Sequence, residues 1–417
     1  MRFHTFGRNA AFLFAGQAFA AVTTLMMVPL LARYLGIADY GRYAYVYAYV
    51  GLFETLSVFG LHHIVVREVA RRPEEAAAYL GSALRLKALL VLAVFALIQL
   101  VSVALVSPDL RLLVTICASE VLLRKFFMIN VALARAFERM QYEFVVTVLE
   151  RTTALVALVL VIRLDWGLTG VFAAFLLAAV VHSVAGTSLI WTRLARPRFR
   201  EGRGLSRFLL GNSWPLGLSR QAEVVYNRVG TVLLAQWSAP EVVGAYSAAY
   251  RIYQITSQVV ADSISQSAYP AFSRLTSEPR RFIRSFTRVI RFDAAVGVLL
   301  ALSVWGLAPV AVRLLLGQEF ESSVPVLRWM SVAMPFAFLN GLLSAGLQST
   351  NHQRLDGLLT TGRLCVNVAL NWALIPPLGA VGAACALVIS EILCFGVKSV
   401  AFVTRGQPRA SQEARSP

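Results

Sequence analysis

The sequence predicts an all-α, polytopic membrane protein with about twelve transmembrane helices, in two pseudo-symmetric six-helix bundles around a central cavity. Three observations lead to this prediction. Apolar residues make up 58% of the 417-residue chain and charged residues only 15%, which leaves too little polar surface for a water-soluble protein. The apolar residues form long continuous runs, and parts of the first half recur in the second.

Twelve of these runs are long enough to span a bilayer, because a transmembrane helix needs about 20 predominantly apolar residues. Their continuity is unlike the alternation of membrane β-strands. The seventh run contains Arg220, Glu223 and Arg228, so we expect it to line an aqueous space. The predicted spans are residues 9–33, 43–66, 83–106, 111–135, 143–163, 167–192, 208–236, 242–268, 289–315, 323–348, 355–375 and 379–403.

The basic residues predict the orientation of these spans. If the N-terminus is cytoplasmic, most Lys and Arg residues fall on the cytoplasmic side, and residues 193–207 form a strongly basic loop there. Cytoplasmic loops of membrane proteins carry such an excess, so we predict a multi-pass protein of the bacterial inner membrane with both termini cytoplasmic. The net charge of +17 is then explained by basic residues that lie beside anionic lipid, so it does not indicate a nucleic-acid partner. The basic residues on the opposite side are Arg33, Arg42, Arg111, Arg163 and Arg313.

An internal repeat supports two related halves. An offset of 203 residues pairs Gly41 with Gly244 and Tyr47 with Tyr250. Six helices return the chain to its starting side, so the repeats are parallel, as in many secondary transporters. We therefore predict an N-terminal bundle (1–192), a basic cytoplasmic linker (193–207), a C-terminal bundle (208–403) and a polar cytoplasmic tail (404–417).

Polar residues within the predicted spans indicate a binding cavity. On the eighth helix, Arg251, Gln254, Gln258, Asp262 and Ser265 fall within an arc of about 80°. On the seventh, Arg220, Glu223 and Asn227 share one face, and Arg228 lies beside it. Arginine suits phosphate because its guanidinium is permanently charged and donates in a planar fork. The predicted substrate-binding residues are Arg220, Arg228, Arg251, Asn227, Gln254, Gln258 and Gln17.

The same residues have alternative interpretations. Arg220 is spaced to pair with Glu223, and Arg228 and Arg251 lie close enough to helix ends to reach the membrane interface. Carboxylates in the spans are candidates for ion coupling, and the alternative is that they are satisfied or wetted groups without that role. The three candidates for ion coupling are Glu54, Asp262 and Glu223.

Other intramembrane charges favour internal pairing. Glu120 and Arg124 are four residues apart on the fourth helix, which favours an ion pair within that helix. Glu150 lies beside Arg151, whose partner in the repeat is Arg363. An interhelical lock and a ligand contact remain equally open for Glu150.

The sequence contains no motif that would favour an enzyme. It has no glycine-rich phosphate loop with a lysine, no His-Glu-x-x-His motif and no plausible Ser-His-Asp grouping outside the predicted spans. The four cysteines lie in apolar runs without metal-ligand spacing, which argues against disulfides and zinc. We therefore expect no catalytic residues, no metal and no cofactor, with transport running downhill or coupled to an ion gradient.

Several segments resemble a known family. LARYLGIADYGRYAYVYAYVGL (31–52), VVGAYSAAYRIYQI (242–255) and YPAFSRL (269–275) are similar in order and spacing to the bacterial polysaccharide-biosynthesis flippases, as are residues 314–354 and 367–391. These are oligosaccharide-lipid transporters of the multidrug/oligosaccharidyl-lipid/polysaccharide superfamily. The resemblance implies export of a polyprenyl-pyrophosphate-linked oligosaccharide, such as an O-antigen or exopolysaccharide repeat unit, by alternating access.

The expected partners follow from that reading. They are the polyprenyl-linked glycan, membrane lipids and, within a biosynthetic system, a polysaccharide polymerase and a chain-length regulator. Two alternatives stay open: a multidrug or cation antiporter of the same superfamily, and a membrane glycan polymerase or ligase. An antiporter for organic cations would favour an acidic cavity, whereas a polymerase or ligase normally needs a sizeable external loop.

Overall fold

The computed structural model describes residues 3–58, 60–199 and 203–406, with side chains left undescribed at a few of these positions, residues 212–220 among them. The described residues are overwhelmingly helical and contain no β-strand, as the sequence predicts. The helices are α1 (Phe3–Glu54), α2 (Leu61–Arg71), α3 (Ala76–Leu105), α4 (Arg111–Ala136), α5 (Met140–Leu164), α6 (Gly167–Arg193), α7 (Arg203–Trp237), α8 (Pro240–Arg274), α9 (Pro279–Leu315), α10 (Ser323–Ser349) and α11 (Gln353–Ala401).

Two of these helices are kinked at glycine and contain two predicted spans each. Gly36 in α1 has φ of 66° and Gly379 in α11 has φ of 56°, a left-handed conformation that side chains with a Cβ rarely adopt. The glycines divide α1 and α11 into two straight segments each. Each of the twelve predicted spans therefore has a helical segment.

Seven described segments are long and apolar enough to cross a membrane, and the two longest contain the kinked helices. The chain is thus a multi-pass membrane protein. α4, α7 and α8 also carry predicted spans but are not among the seven, because they contain more charged and polar side chains. On α7 and α8 these include the predicted substrate-binding residues.

The chain forms two compact units. The first comprises residues 1–35 and 45–224, and the second comprises residues 36–44 and 225–417. The predicted division into bundles at residues 193–207 remains a prediction.

In the first unit, α2 is amphipathic and lies against the longer helices. Its buried residues Leu61 and Val65 belong to one apolar cluster with Leu80 of α3 and Phe127 of α4. The chain that follows α6 returns to α3, where the backbone N–H of Arg198 donates to the carbonyl of residue 77 at 2.8 Å. The beginning of the basic linker is therefore anchored to this unit.

In the second unit, aromatic rings join α8, α9 and the end of α11. Phe272, Phe282 and Phe286 pack together, and Phe286 stacks on Phe402 with ring centroids 4.2 Å apart. Such pairs add specific geometry to the burial of apolar surface. This cluster holds one end of α9 against its neighbours.

The segment 36–44 packs tightly against the beginning of α8. A Cβ on Gly41 would overlap the carbonyl of Pro240 and the backbone nitrogen of Gly244, and a Cβ on Gly244 would overlap the carbonyl of Ile37. The two glycines that the internal repeat pairs are thus in direct backbone contact. Nearby, the rings of Tyr40 and Phe320 meet edge to face, with centroids 5.5 Å apart.

Candidate functional site

The second unit contains a polar site on α7 and α8. Only two residues separate the end of α7 from the beginning of α8, so residues equally distant from this turn lie at similar depth. Arg228 is nine residues before the end of α7 and Arg251 is eleven residues after the beginning of α8. At 1.5 Å per residue, the two positions lie about 14 Å and about 17 Å along their helices, well inside the membrane-spanning length.

A tyrosine connects the two helices at this depth. The hydroxyl of Tyr250 donates to Oδ1 of Asn227 at 3.1 Å, and the side chain of Gln254 is hydrogen-bonded to the same hydroxyl. The charge of Arg228 also acts on this hydroxyl. The structure thus brings together three of the predicted binding residues around Tyr250, which sequence reasoning paired only with Tyr47 of the repeat.

Tyr250 is itself held in a stack of tyrosines along α8. Its ring lies 5.9 Å from those of Tyr246 and Tyr253, with interplanar angles of 7° and 28°. All three rings are buried. A stack of this kind fixes the rotamer of Tyr250 and therefore the position of the hydroxyl that joins α7 to α8.

Arg251 is a cation of this site without a described carboxylate partner. Its side chain is half-buried, and no described acidic residue forms an ion pair with it. Its charge acts on the hydroxyl of Tyr40. A guanidinium at this depth is costly to leave unpaired unless it meets water or an anion. Arg251 therefore has the character of an anion-binding group.

The remaining predicted residues on α8 continue the stripe. Gln258 is half-buried and Asp262 is exposed. Ser265, one turn beyond Asp262, lies beside Gly341 of α10, where a Cβ would approach its Oγ to 2.9 Å. The stripe thus passes from a half-buried region around Arg251 to an accessible carboxylate.

The structure places the other predicted residues in the first unit. Glu223 on α7 and Gln17 on α1 are both exposed. The side chain of Arg220 lies outside the described residues, so its predicted pairing with Glu223 stays a prediction. On the same turn of α7, Gln221 donates from its side-chain amide to the carbonyl of Leu52.

Glu54 is the last residue of α1 and forms an ion pair. Its carboxylate lies 3.6 Å from Nζ of Lys125 on α4, and both side chains are largely buried. Glu54 therefore has a structural partner that the sequence pattern did not identify.

A larger charge cluster occupies the centre of the first unit. Arg124 donates to Glu120 at 2.9 Å within α4, which confirms the predicted pair, and lies 3.0 Å from Glu150 on α5. The other oxygen of Glu150 is 3.1 Å from Nδ1 of His182 on α6. The hydroxyl of Tyr47 contacts Glu120 at 3.4 Å. The cluster joins four helices, and Glu150 takes Arg124 as its interhelical partner.

The second unit contains a comparable network that sequence reasoning did not single out. Glu391, only 2% exposed, accepts hydrogen bonds from Arg363 at 2.9 Å, from Asn340 at 2.7 Å and from the hydroxyl of Tyr226. The guanidinium of Arg363 also lies 4.0 Å from the centroid of the Tyr226 ring. An acidic residue inside an apolar run was the available signal. This network joins α7, α10 and both segments of α11.

The three lysines of the chain all lie inside the folded units. Lys87 is 1% exposed and donates to the carbonyl of Ser57, and Lys398 is 3% exposed and lies 2.8 Å from Asp356. Lys125 is paired with Glu54, as described above. The accessible positive charge of the protein is consequently carried by arginine.

The fold is that of a multi-pass membrane protein, and two solved transporter structures share it. An inward-closed structure of the lipid II flippase MurJ matches with a TM-score of 0.74 and 16% identity, covering 95% of this chain and 87% of that one. An inward-facing multidrug MATE transporter of the MOP superfamily matches with a TM-score of 0.73 and 15% identity, covering 92% and 95% of the two chains. At these identities the likeness shows the fold.

Residues 6–276 match the family described as polysaccharide biosynthesis protein, and residues 152–408 match the family of the lipid II flippase MurJ. The chain belongs to this group of polysaccharide-biosynthesis and lipid-linked glycan flippases, which confirms the resemblance seen in the sequence.

Two curated relatives carry names of the same kind. The probable low-salt glycan biosynthesis flippase Agl15 of Haloferax volcanii is 23% identical over 94% of this chain and 82% of its own length. The succinoglycan biosynthesis transport protein ExoT of Rhizobium meliloti is 23% identical over 73% of this chain, which spans 61% of that relative's length. These relatives are named as flippases or transporters, not as enzymes.

Proposed function

We propose that the chain translocates a polyprenyl-pyrophosphate-linked oligosaccharide across the bacterial inner membrane by alternating access, with both termini in the cytoplasm. The carrying observation is Arg251, half-buried on α8 and without a described carboxylate partner. The pyrophosphate is the charged part of this substrate, and a guanidinium donates two parallel hydrogen bonds to phosphate oxygens. The family membership supports this assignment of the substrate class.

Different side chains of the site would bind different parts of the substrate. Arg228 and Arg251 provide positive charge at similar depth, and Asn227, Gln254 and Gln258 can exchange hydrogen bonds with sugar hydroxyls. The predicted contributions of Arg220 and Gln17 belong to the same proposal. The prenyl tail stays in lipid, and a polymerase and chain-length regulator would receive the exported unit.

The central experiment replaces the anion-binding arginine. We expect Arg251→Ala to reduce transport of a fluorescent polyprenyl-pyrophosphate oligosaccharide in proteoliposomes by about 10- to 150-fold, since a hydrogen bond to a charged group contributes about 1.5–3 kcal/mol. Arg251→Lys should retain part of the rate, because it keeps the charge but loses the fork.

Arg274→Ala is the matched control, because Arg274 lies on the same helix but is exposed at its end. It should transport at the wild-type rate. Wild-type transport by Arg251→Ala, alone and combined with Arg220→Ala, would remove the proposal. Export of organic cations by the wild type, with no glycan transport, would instead favour the multidrug antiporter.

A further inference from the structure

Asp293 on α9 is a buried carboxyl that the proposed binding site does not use. It is 0% exposed, and both carboxyl oxygens are buried without a hydrogen-bond partner. Among the Asp and Glu side chains that the structure describes, none other has both oxygens in this condition. Buried polar groups in proteins are almost always hydrogen-bonded, so this exception calls for a physical reason.

The surroundings of Asp293 are apolar. One turn further along the same face, Gly297 lies against Pro335 and the ring of Phe338 on α10. Two turns earlier, Phe286 packs on Phe402. A carboxylate in such a setting has exchanged its water for hydrocarbon without gaining a donor, which strongly disfavours the ionised form.

No charge on the packed helices offsets this environment. α9 packs against α10, α8 and the short turn at residues 318–320. Neither oxygen of the Asp293 carboxyl has a hydrogen-bond partner among the described residues. Through Phe286, α9 also contacts the short helical turn Phe402–Gly406. The charged residues of all these elements are Arg328 on α10, Glu241, Arg251, Asp262 and Arg274 on α8, Glu319 in the turn at 318–320, the exposed Arg405 in the turn at 402–406, and the exposed Arg288 and Arg291 nearest to Asp293 on α9 itself.

We propose that Asp293 is a proton-binding site and that its proton is exchanged during the transport cycle. In the buried state a carboxyl oxygen holds the proton through an O–H bond. When the cycle admits water to this face of α9, the bond breaks, the proton passes to water and the carboxylate keeps the electron pair. A metal cation fits less well, because hard cations require several oxygen ligands and the described residues contain no group of three or more His, Cys, Asp or Glu side chains that could hold one.

This inference rests on the proposed function and names the ion that would be coupled to it. It also differs from the three candidates in the sequence. Glu54 already has Lys125 as a counter-ion, whereas Asp262 and Glu223 are exposed. None of these three carboxylates is completely buried.

The first test is independent of transport. Infrared spectra of the wild-type protein in vesicles at neutral pH should contain the C=O band of a protonated carboxylic acid, and Asp293→Asn should lose it. Asp109→Asn, which removes an exposed loop carboxylate, should leave the band unchanged. Absence of the band from the wild type, or its full persistence in Asp293→Asn, overturns the proposal. Absence of the band from the wild type overturns the proposal even if the variant does not insert.

The second test measures coupling with a fluorescent polyprenyl-pyrophosphate trisaccharide in proteoliposomes. A proton gradient should change the wild-type rate, and the ratio of rates with and without the gradient should fall to unity in Asp293→Asn but not in Asp109→Asn. The coupling role is overturned if Asp293→Asn keeps the wild-type ratio of rates. It is also overturned if the ratio falls to unity in Asp262→Asn alone. If the wild type moves no trisaccharide, the proposed function fails, while the infrared band still decides the proton site.

Discussion

Removing both members of the Arg363–Glu391 pair should cost no more stability than removing Glu391 alone. Glu391 is 2% exposed and accepts from Arg363, Asn340 and Tyr226. Breaking a buried ion pair from one side costs about 3–5 kcal/mol, because a buried charge is left uncompensated. We expect a loss of about 3 kcal/mol for Arg363→Met, which removes one of these bonds, and about 5 kcal/mol for Glu391→Met, which removes all three.

The double variant distinguishes this reasoning from simple additivity. With both charges absent, the remaining loss is two neutral hydrogen-bond partners and some packing, so the double variant should lose no more than Glu391→Met alone. The assay is the free energy of unfolding in mixed detergent micelles, with Arg328→Met as control. Arg328 is half-buried, with its guanidinium 5.9 Å from the centroid of the Trp305 ring, and it pairs with no described carboxylate, so its replacement should cost about 0.5–1 kcal/mol. Losses in the double variant equal to the sum of the single losses would refute the argument.

Two further predictions follow from packing and topology. Gly41→Ala should destabilise the protein by about 1–3 kcal/mol in the same unfolding assay, because the new Cβ meets backbone atoms of α8 that cannot rotate away. The control is Gly306→Ala, whose Cβ enters open space, and this variant should have unchanged or higher stability. In a variant without native cysteines, an impermeant maleimide should label Asp109→Cys but not Arg196→Cys in intact spheroplasts, since the basic linker is proposed to be cytoplasmic. Unchanged stability of Gly41→Ala, or the reverse labelling pattern, would contradict these predictions.

Hydropathy predicted the helical segments because each run had to satisfy its backbone hydrogen bonds within itself. It did not predict that spans would join into kinked helices, since the bends depend on the left-handed conformations of Gly36 and Gly379. Local spacing was enough for Glu120 and Arg124, which are neighbours on one helix face and do pair.

Long-range pairing was beyond the sequence pattern. Lys125 meets Glu54 only because α4 packs beside the end of α1, and Glu391 finds three partners on other helical segments. Helical periodicity placed Arg251 and Gln254 on one face but could not show that Tyr250 would connect that face to Asn227. The sequence pattern did not identify Asp293 either, because this residue follows a basic stretch and only the packing shows that its carboxyl is buried.

The interior location of all three lysines has a practical consequence for chemical work on this protein. Amine-directed dyes, cross-linkers and surface-coupling reagents need an accessible primary amine, and Lys87 and Lys398 offer almost none while the fold is intact. Lys125 is itself held against a carboxylate. Modification of these lysines should therefore be slow while the helices stay packed, and the appearance of modified lysine would report that the helices have come apart.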